Sequence, residues 1–583
     1  MKFLLPAAVV LAAGFAIRAQ APATDPLIQA MNDEIAHSRN LSVSNLEKPY
    51  FVQYLLDDSD TFSVSATLGA VVSRRRDRFR QLTTQVRVGD YQFDNTNYVA
   101  SGFNFGTRYD LGRFPVDDSY PVLRRYLWLS TDSAYKSAVE AISRKQAALR
   151  NLSVNERIAD FAHAEPVHMV ESLPVQKIDE KAWTDRIRRF SGIFDRYPEV
   201  RSSTVDLDSS EGGYYVVNSE GTQVRVPDSL TFVRVRANAQ APDGMNVRDA
   251  VMFQARESSG LPPEAEMTRG IQALAENVVA LAHAPKGEDY SGPILFEGVA
   301  GAQIFAEVLG KNLALPRRPV MEPGRPGSFS GSELEGRIGA RVLPDSFDVV
   351  DDPTPRDWHS RPLFGSYEVD REGVKAVPVR VIEKGLLKNY LLTRDPVRGF
   401  PNSNGRARLP GSFGAGAAGV SNLFVNSSGA VPVSELKKKL LEMIVARDKP
   451  YGIIVRKIDF PSSASFEEAR RRLSGSVSDG SRLLSLPILV YRVYPDGREE
   501  LVRGLRFGGL NARSLKDVVA AGDDPAAFDF MDNTAPFDLM GGAGYASNAC
   551  VIAPSVLIDD LELHPVDDEL PKPPVVPAPE LIP

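Results

Sequence analysis

Three short runs within residues 203–239 alternate in side-chain character: Tyr214-Tyr215-Val216-Val217, Gln223-Val224-Arg225-Val226 and Phe232-Val233-Arg234-Val235. A period of two is typical of β-strands that bury one face. Glu211-Gly212-Gly213 and Glu220-Gly221 interrupt the runs, and glycine at such points indicates turns. The pattern therefore predicts an antiparallel meander.

Helical and extended patterns flank this meander on both sides. Residues 50–57 and 62–93 are rich in β-formers and are predicted to be strands. Ser130-Thr131-Asp132-Ser133 supplies good N-cap residues, which places a helix start at Ser130. Apolar residues at helical spacing predict helices over residues 25–39, 130–149, 179–197, 262–284 (the longest), 433–448 and 514–521.

The order of these patterns predicts an α+β fold in two parts. Residues 22–290 mix helices and strands and are expected to form an N-terminal α+β domain. A connection rich in proline, glycine and arginine, residues 316–331, leads into a second half dominated by strand patterns. Residues 291–564 are therefore expected to form a β-rich C-terminal domain built on antiparallel or barrel-like sheets.

Both ends of the chain differ in composition from the rest. Lys2 is followed by an apolar run over residues 3–16 and by Ala19-Gln20-Ala21, the pattern of a secretory signal peptide over residues 1–21. No later stretch approaches 18 consecutive apolar residues. Residues 565–583 contain seven prolines, which predicts a disordered tail. We therefore expect an exported protein, periplasmic or secreted, with no stable membrane span after cleavage.

Composition excludes several classes of protein. The 583 residues carry 68 Lys and Arg against 75 Asp and Glu, a formal charge of −7, so nucleic acid is not the expected partner. Cys550 is the only cysteine and cannot form an intramolecular disulfide. Gly-x-Ser-x-Gly, Cys-x-x-Cys, His-Glu-x-x-His and Walker sequences are absent. The usual hydrolase, redox and nucleotide signatures are therefore missing.

Six blocks of sequence, in order between residues 200 and 565, resemble the TldD/PmbA (TldE) family of metallopeptidases and their companion subunits. Residues 25–200 resemble the family only loosely. No block is diagnostic alone, but their order and spacing make the resemblance specific. The blocks are Val217-Asn218-Ser219-Glu220-Gly221-Thr222, Val349-Val350-Asp351-Asp352-Pro353, Asp370-Arg371-Glu372-Gly373-Val374, Glu383-Lys384-Gly385-Leu386-Leu387-Lys388-Asn389-Tyr390, Asn402-Ser403-Asn404-Gly405-Arg406-Ala407, and Ala549-Cys550-Val551 with Pro554-Ser555.

The resemblance implies a zinc site that this sequence has largely lost. Catalytic members carry His-Glu-x-x-x-His, which supplies two ligands and a general base, and a C-terminal cysteine that supplies a third ligand. The corresponding residues here are Phe296-Glu297-Gly298-Val299-Ala300-Gly301, so both histidines are replaced. Glu297 remains at the general-base position and Cys550 at the third-ligand position. A catalytic zinc normally needs three protein ligands, so these two remnants do not complete a site.

Each remnant has a structural interpretation beside the functional one. Glu297 is either a base or ligand, or an acidic residue that complements a helix dipole in the first turn. Cys550 is either a thiolate ligand or a small buried hydrophobic residue. His359 is either a replacement ligand reaching these two or a surface loop residue. The structural interpretation is favoured in all three cases.

The resemblance implies peptide handling, because family members are expected to admit unfolded or extended peptides to a cavity between subunits. Our leading hypothesis is a metal-free PmbA/TldE-like subunit that pairs with a TldD-like metallopeptidase or with itself. Extended peptides can dock by adding a strand to a sheet edge, which needs no catalytic residue. The alternatives are an active metallopeptidase that binds zinc through unconventional ligands, such as Glu297 and Cys550 with His359 or a carboxylate, and a stand-alone exported peptide binder.

Overall fold

A computed structural model describes most of the chain. The described ranges are residues 25–39, 47–99, 108–111, 114–150, 158–173, 178–321, 331–410, 416–460, 484–532, 547–566 and 574–576. The predicted signal peptide, residues 1–21, and most of the proline-rich tail lie outside them. Within these ranges, no helix is long and apolar enough to cross a membrane.

The first part of the chain builds one large sheet with helices against it. Its 3-10 helices are Gly192–Arg196 and Ser258–Gly260. Its helices and strands are α1 (Pro26–Ser38), β1 (Pro49–Thr67), β2 (Ala70–Val88), β3 (Tyr98–Val99), β4 (Arg108–Leu111), α2 (Tyr120–Leu149), β5 (His168–Val170), α3 (Glu180–Ser191), β6 (Val200–Asn218), β7 (Gln223–Pro227), β8 (Leu230–Gln240), β9 (Asn246–Ala255) and α4 (Glu264–His283).

The strand order of this sheet is β4-β2-β1-β6-β7-β5, with β8 on β6 and β9 on β8. The predicted antiparallel strands are confirmed, but they do not form a simple meander, because β7 and β8 each pair with β6 and not with one another; the first predicted break, at residues 211–213, is also wrong. β6 runs unbroken through Gly212 and exchanges partners there, from β8 to β7. A Cβ at Gly212 would lie 2.0 Å from the carbonyl oxygen of Asp58 on β1, so glycine permits close strand approach rather than a turn. The second break, at Gly221, is a turn with φ of +107°.

Helices cover one face of this sheet. Val52, Tyr54 and Leu56 of β1 pack in the apolar cluster that includes residues of α1 and α2. Phe62 and Val64 of the same strand pack with α3 and α4. All five positions are even-numbered, and side chains alternate along a strand, so both helix pairs lie on the same face. The opposite face is left for the second part of the chain.

The second part builds two further sheets around a shared apolar core. A π-helix spans Phe305–Gly310 and a 3-10 helix spans Ala512–Asp517. Its other elements are β10 (Tyr290–Phe296), α5 (Val299–Ile304), α6 (Lys311–Leu313), β11 (Val320–Met321), β12 (Phe347–Asp351), β13 (Asp357–Trp358), β14 (Arg361–Pro362), β15 (Val379–Glu383), β16 (Leu386–Leu387), β17 (Ala407–Pro410), β18 (Gly416–Ala418), β19 (Asn422–Ser427), β20 (Ala430–Val431), α7 (Val433–Ala446), β21 (Gly452–Ile458), β22 (Pro487–Val493), β23 (Glu499–Val502), β24 (Leu505–Gly508), β25 (Val518–Gly522), β26 (Ala526–Asp532), β27 (Ser547–Ala553) and β28 (Val556–Pro565).

One sheet has the order β20-β25-β28-β10-β21-β22-β23, with β24 also on β28, and the other has the order β16-β15-β12-β19-β27-β26. Most of their pairs are antiparallel. The α+β fold and the β-rich second part are thus confirmed. The domain limits at residues 290 and 564 stay predictions.

Two predicted helices differ from the structure. α2 begins at Tyr120, ten residues before the predicted start, and its 30 residues make it longer than α4 with 20. Ser130 and Thr131 are buried inside it, and their hydroxyls bond Thr84 and the carbonyl of Leu127 rather than capping. Residues 514–521 form the end of a 3-10 helix and most of β25, because Val518 and its successors pair with β28.

Candidate functional site

The motif segment, which we define as residues 296–301, connects the end of β10 to the start of α5. Phe296 ends the strand, Gly298 turns the chain with φ of +61°, and Val299 begins the helix. Ser555 supports the turn, because its hydroxyl accepts a hydrogen bond from the amide of Gly298 at 2.7 Å. The segment is therefore built as a strand-to-helix connection that is fixed by the β27–β28 turn.

The two positions of the missing histidines are filled by packing. The Phe296 side chain is fully buried, and its ring centroid lies 5.9 Å from that of Phe507. Gly301 lies against the backbone of residues 554 and 555, and a Cβ built on it would meet the carbonyl oxygen of Pro554 at 2.3 Å. No larger side chain fits at this position without movement of that turn. The backbone itself excludes a histidine at residue 301.

Glu297 is engaged in an ion pair away from the core. Its carboxylate accepts a hydrogen bond from Nε of Arg456 at 2.5 Å, and its amide donates to the carbonyl of Val455. Arg456 also bonds Glu499 at 2.8 Å, and Glu499 accepts from Lys437 at 2.7 Å. Glu297 lies two residues before α5, so it is outside the first turn of that helix. Because the carboxylate is held in an ion pair by Arg456, it is not free to act as a general base.

Cys550 lies on β27 in an apolar cluster with Leu363 and Ile552, against which Trp358 packs. The side chain is fully buried. Burial, and then the neighbouring Asp529 carboxylate, raise the pKa of the thiol far above its usual range. The thiol is therefore protonated at neutral pH, which opposes its use as a thiolate ligand.

His359 lies on the hairpin of β13 and β14. Its ring stacks on Trp358 with centroids 4.4 Å apart, and the residue is exposed. Trp358 therefore links His359 to the Cys550 cluster. Glu297 contacts a different set of residues, so the structure places His359 near the cysteine and leaves Glu297 apart.

The residues at this position do not fit a zinc ion. Phe296 and Gly301 have no donor atom, Glu297 is paired with Arg456, and the thiol of Cys550 is protonated and buried. Among the residues that the structure describes, no group of three or more His, Cys, Asp or Glu side chains is placed to hold a metal. A catalytic zinc normally has three protein ligands and an open position.

A cavity of about 1040 Å³ lies beside the motif segment. Residues of β8, β9 and the loop after β9 line it from the first part of the chain, and residues of α5, β14, β21 and β26 line it from the second. Its paired charges include Lys457 with Asp249 at 2.5 Å and Arg361 with Asp529 at 2.6 Å. Sequence reasoning missed this cavity, because its walls come from segments up to about 300 residues apart in the chain.

Residues of the other family blocks, together with Arg394, form a junction network where the two parts of the chain meet. We define it as Glu220, Asp351, Asp370, Glu372, Arg394 and Arg406. Arg394 bonds Glu220 of the first part at 2.7 Å, and its backbone amide donates to Glu372. Arg406 pairs with Asp351 at 2.6 Å, both fully buried. The polar residues that carry the resemblance therefore hold the fold together.

Two carboxyl groups of the junction network have altered acidity. Burial, followed by the nearby Asp395 and Asp370, raises the pKa of Glu372 to about 8. Burial also raises the pKa of Asp370, although the amides of Val374, Ala407 and Glu372 donate to its carboxylate and oppose the shift. Glu372 is therefore largely protonated at neutral pH in the folded protein.

Residues 292–461 match the family model described as PmbA/TldA metallopeptidase C-terminal domain. A metalloprotease from Methanothermobacter thermautotrophicus is 32% identical over 218 residues, which are 36% of this chain and 43% of the relative. A metalloprotease from Archaeoglobus fulgidus is 35% identical over 78 residues, which are 13% of this chain and 17% of the relative. This chain therefore carries a domain of the TldD/PmbA family at residues 292–461. It spans less than half of the length of either of these family relatives.

Solved structures show that the likeness in fold covers nearly the whole chain. TldE from Thermococcus kodakarensis superposes with a TM-score of 0.56 at 12% identity, covering 92% of this chain and 100% of that one. A protein from Thermotoga maritima described as a modulator of a DNA gyrase superposes with a TM-score of 0.55 at 15% identity, covering 92% and 99%. At such identities the likeness shows the TldD/PmbA-type fold.

Proposed function

We propose that this protein is a metal-free subunit of the PmbA/TldE kind, which handles peptides together with a TldD-like metallopeptidase that carries the intact His-Glu-x-x-x-His. The observation that carries the proposal is the backbone contact at Gly301. A site that had lost only its ligand side chains could regain them by substitution. Here the carbonyl of Pro554 occupies the space of any side chain at that position.

Peptide handling is supported by the cavity and by the strand that borders it. β9 pairs with β8 on one side, and consecutive residues from Asp249 to Ala255 line the cavity, so the other edge of β9 faces it. An extended peptide can add to such an edge through main-chain hydrogen bonds. The volume lies at the upper end of the roughly 300–1,000 Å³ typical of ligand pockets. Phe253, Phe364 and Phe528 give part of the wall an apolar character.

Export is part of the same proposal. The residues that support it are the apolar run and the Ala19-Gln20-Ala21 sequence at the start of the chain. Expression of the full chain in a Gram-negative host followed by N-terminal sequencing of the periplasmic fraction tests it. A mature terminus at residue 22 is expected, and an intact protein retained in the cytoplasm would contradict it.

The experiment for the subunit role uses the mature protein with a TldD-like chain from the same source. Size-exclusion chromatography with light scattering is expected to show a complex of the two chains. Hydrolysis of an unfolded peptide should appear only when both are present. A catalytically dead partner, with its glutamate of His-Glu-x-x-x-His changed to glutamine, is the matched control and should still form the complex. Peptidase activity of this protein alone, or a self-dimer that excludes the partner, would contradict the heterologous pairing.

A further inference from the structure

Three side chains on the wall of the cavity, Arg234, Gln254 and Asp529, have buried polar atoms with no hydrogen-bond partner among the described residues, and the first two lie on the neighbouring strands β8 and β9. Arg234 of β8 is about nine-tenths buried, and its Nε and Nη1 make no hydrogen bond. Gln254 of β9 has both its Nε2 and its Oε1 buried and without a partner. Both residues line the cavity. Burial of such groups costs free energy unless they are hydrogen bonded, so four unmade bonds at one place indicate a ligand surface.

The sheet register brings these two side chains together. Arg234 lies opposite Met252, and Phe232 lies opposite Gln254. Arg234 and Gln254 are therefore diagonal neighbours on one face of the β8–β9 pair, within reach of one ligand. This is the face opposite the one that α3 and α4 cover, since Val233 and Val235 pack in their cluster.

The charges around Arg234 leave its guanidinium available. Asp206 lies 3.6 Å from Nη2 of Arg234, but that carboxylate also bonds Arg236 at 3.2 Å and Ser65 at 2.7 Å. Asp208 is also close, and burial raises the pKa of its carboxyl group. Arg234 and Arg236 therefore face two carboxyl groups. That of Asp206 is already hydrogen bonded, and the raised pKa of Asp208 favours its neutral form. The balance on this face favours an added negative charge.

We propose that Arg234 and Gln254 bind the C-terminal end of a peptide in the cavity. The guanidinium of Arg234 receives the terminal carboxylate through Nη1, whose N–H donates a charge-assisted hydrogen bond to a carboxylate oxygen. The amide of Gln254 offers one donor and one acceptor, which match the carbonyl and the N–H of the last peptide group. An apolar residue of the second part of the chain, Phe528, borders the cavity and gives an apolar surface for the terminal side chains. The proposal rests on the peptide handling proposed above and adds selectivity for a free C-terminus.

The test is fluorescence anisotropy with the full mature protein. The probe is an uncharged peptide of about eight residues, labelled with fluorescein at its N-terminus, made as the free acid and as the C-terminal amide. A third probe is amidated and carries one internal glutamate. The free acid is expected to bind about tenfold more tightly than the amide, the size of one charge-assisted hydrogen-bonded pair.

Two substitutions and one control assign the preference to these residues. Arg234→Gln should reduce the ratio of the two affinities to near one. Gln254→Glu places an acid beside the carboxylate, so it should weaken the free acid about tenfold and the amide little. Arg75→Gln is the control, because Arg75 is an exposed arginine of β2 that does not line the cavity. Circular dichroism of each variant checks the fold, and Gln254→Glu keeps the test valid if Arg234→Gln is unfolded.

Three results would overturn the proposal, and they are distinguishable. Equal binding of acid and amide by the wild-type protein would leave peptide handling intact but refute the terminal carboxylate. Equally tight binding of the free acid and the amidated glutamate probe would assign Arg234 to acidic side chains in general. Absence of binding by all three probes would contradict peptide handling itself.

Discussion

The motif segment and the junction network carry the same family resemblance but have kept different properties. In the motif segment, a buried phenylalanine and a glycine against backbone stand where zinc ligands are implied. In the junction network, charged residues remain, and pairs such as Asp351 with Arg406 are fully buried. The difference teaches that the polar blocks that carry the resemblance build the fold in this chain, whereas the positions at which the resemblance implies zinc ligands are filled by packing.

The largest effect is expected from the junction network. Arg406→Ala leaves the carboxylate of Asp351 buried without its cation, which should lower the free energy of unfolding by about 3–5 kcal/mol. Arg356→Ala is the control, because Arg356 pairs with Glu368 at 2.7 Å but is largely exposed. That change should cost less than about 1 kcal/mol. Urea unfolding followed by tryptophan fluorescence measures both, and equal losses would contradict the structural role of the network.

The next effect concerns the motif segment. Gly301→Ala adds a single methyl group that meets the Pro554 carbonyl, so it should destabilise the protein by about 1–3 kcal/mol, although alanine normally favours a helix. Gly260→Ala is matched to it, because the nearest atom to its Cβ is 3.4 Å away. It should change stability by less than about 0.5 kcal/mol. A neutral or stabilising Gly301→Ala would show that residue 301 has room for a side chain.

The third effect is a dependence on pH. Glu372 has its pKa raised from 4.5 to about 8, so between these values the folded protein holds a proton that the unfolded chain has released. Stability should therefore fall as pH rises through this window, by at most about 1.4 kcal/mol per pH unit from this group. Glu372→Gln cannot titrate and should flatten the slope in thermal unfolding at pH 5, 6, 7 and 8. An unchanged slope would contradict the assignment to Glu372.

The smallest effect is expected at Cys550. Cys550→Ala removes only the sulfur from an apolar cluster, which should cost on the order of 1 kcal/mol. The thiol of the folded wild-type protein should also react slowly with Ellman's reagent, since it is buried and protonated. Rapid reaction in the native state would show an accessible thiolate at Cys550. It would contradict the interpretation of this residue as part of the buried apolar packing.

Sequence periodicity predicted the elements whose own residues show a clear helical or alternating pattern. The helices at 25–39 and 433–448 were found within two residues of their predicted limits, and β7 was found within one residue of the run at 223–226. The start of α2 was missed because Ser130 and Thr131, which are good caps in isolation, instead bond tertiary partners. Gly212 was misread because close approach to β1 leaves no trace in local sequence. Local sequence patterns do not show the contacts that a segment makes with elements distant in the chain.

The candidate site was less predictable than the fold. The sequence identified Phe296 and Gly301 as non-ligands, but only the structure shows that Pro554 excludes a side chain at residue 301. The partner of Glu297, Arg456, lies 159 residues further along the chain. Arg234 was visible only as the polar member of an alternating strand, and its burial and the absence of a hydrogen bond at its Nε and Nη1 among the described residues depend on the tertiary fold.

The most direct test of the central claim is the zinc content of the mature protein, purified under reducing conditions without chelators and measured by plasma mass spectrometry. A metal-free subunit should contain far less than one zinc per chain, with no change in Cys550→Ser or Glu297→Gln. About one zinc per chain, lost in both variants, would contradict it and would establish a peptidase-type centre built from unconventional ligands.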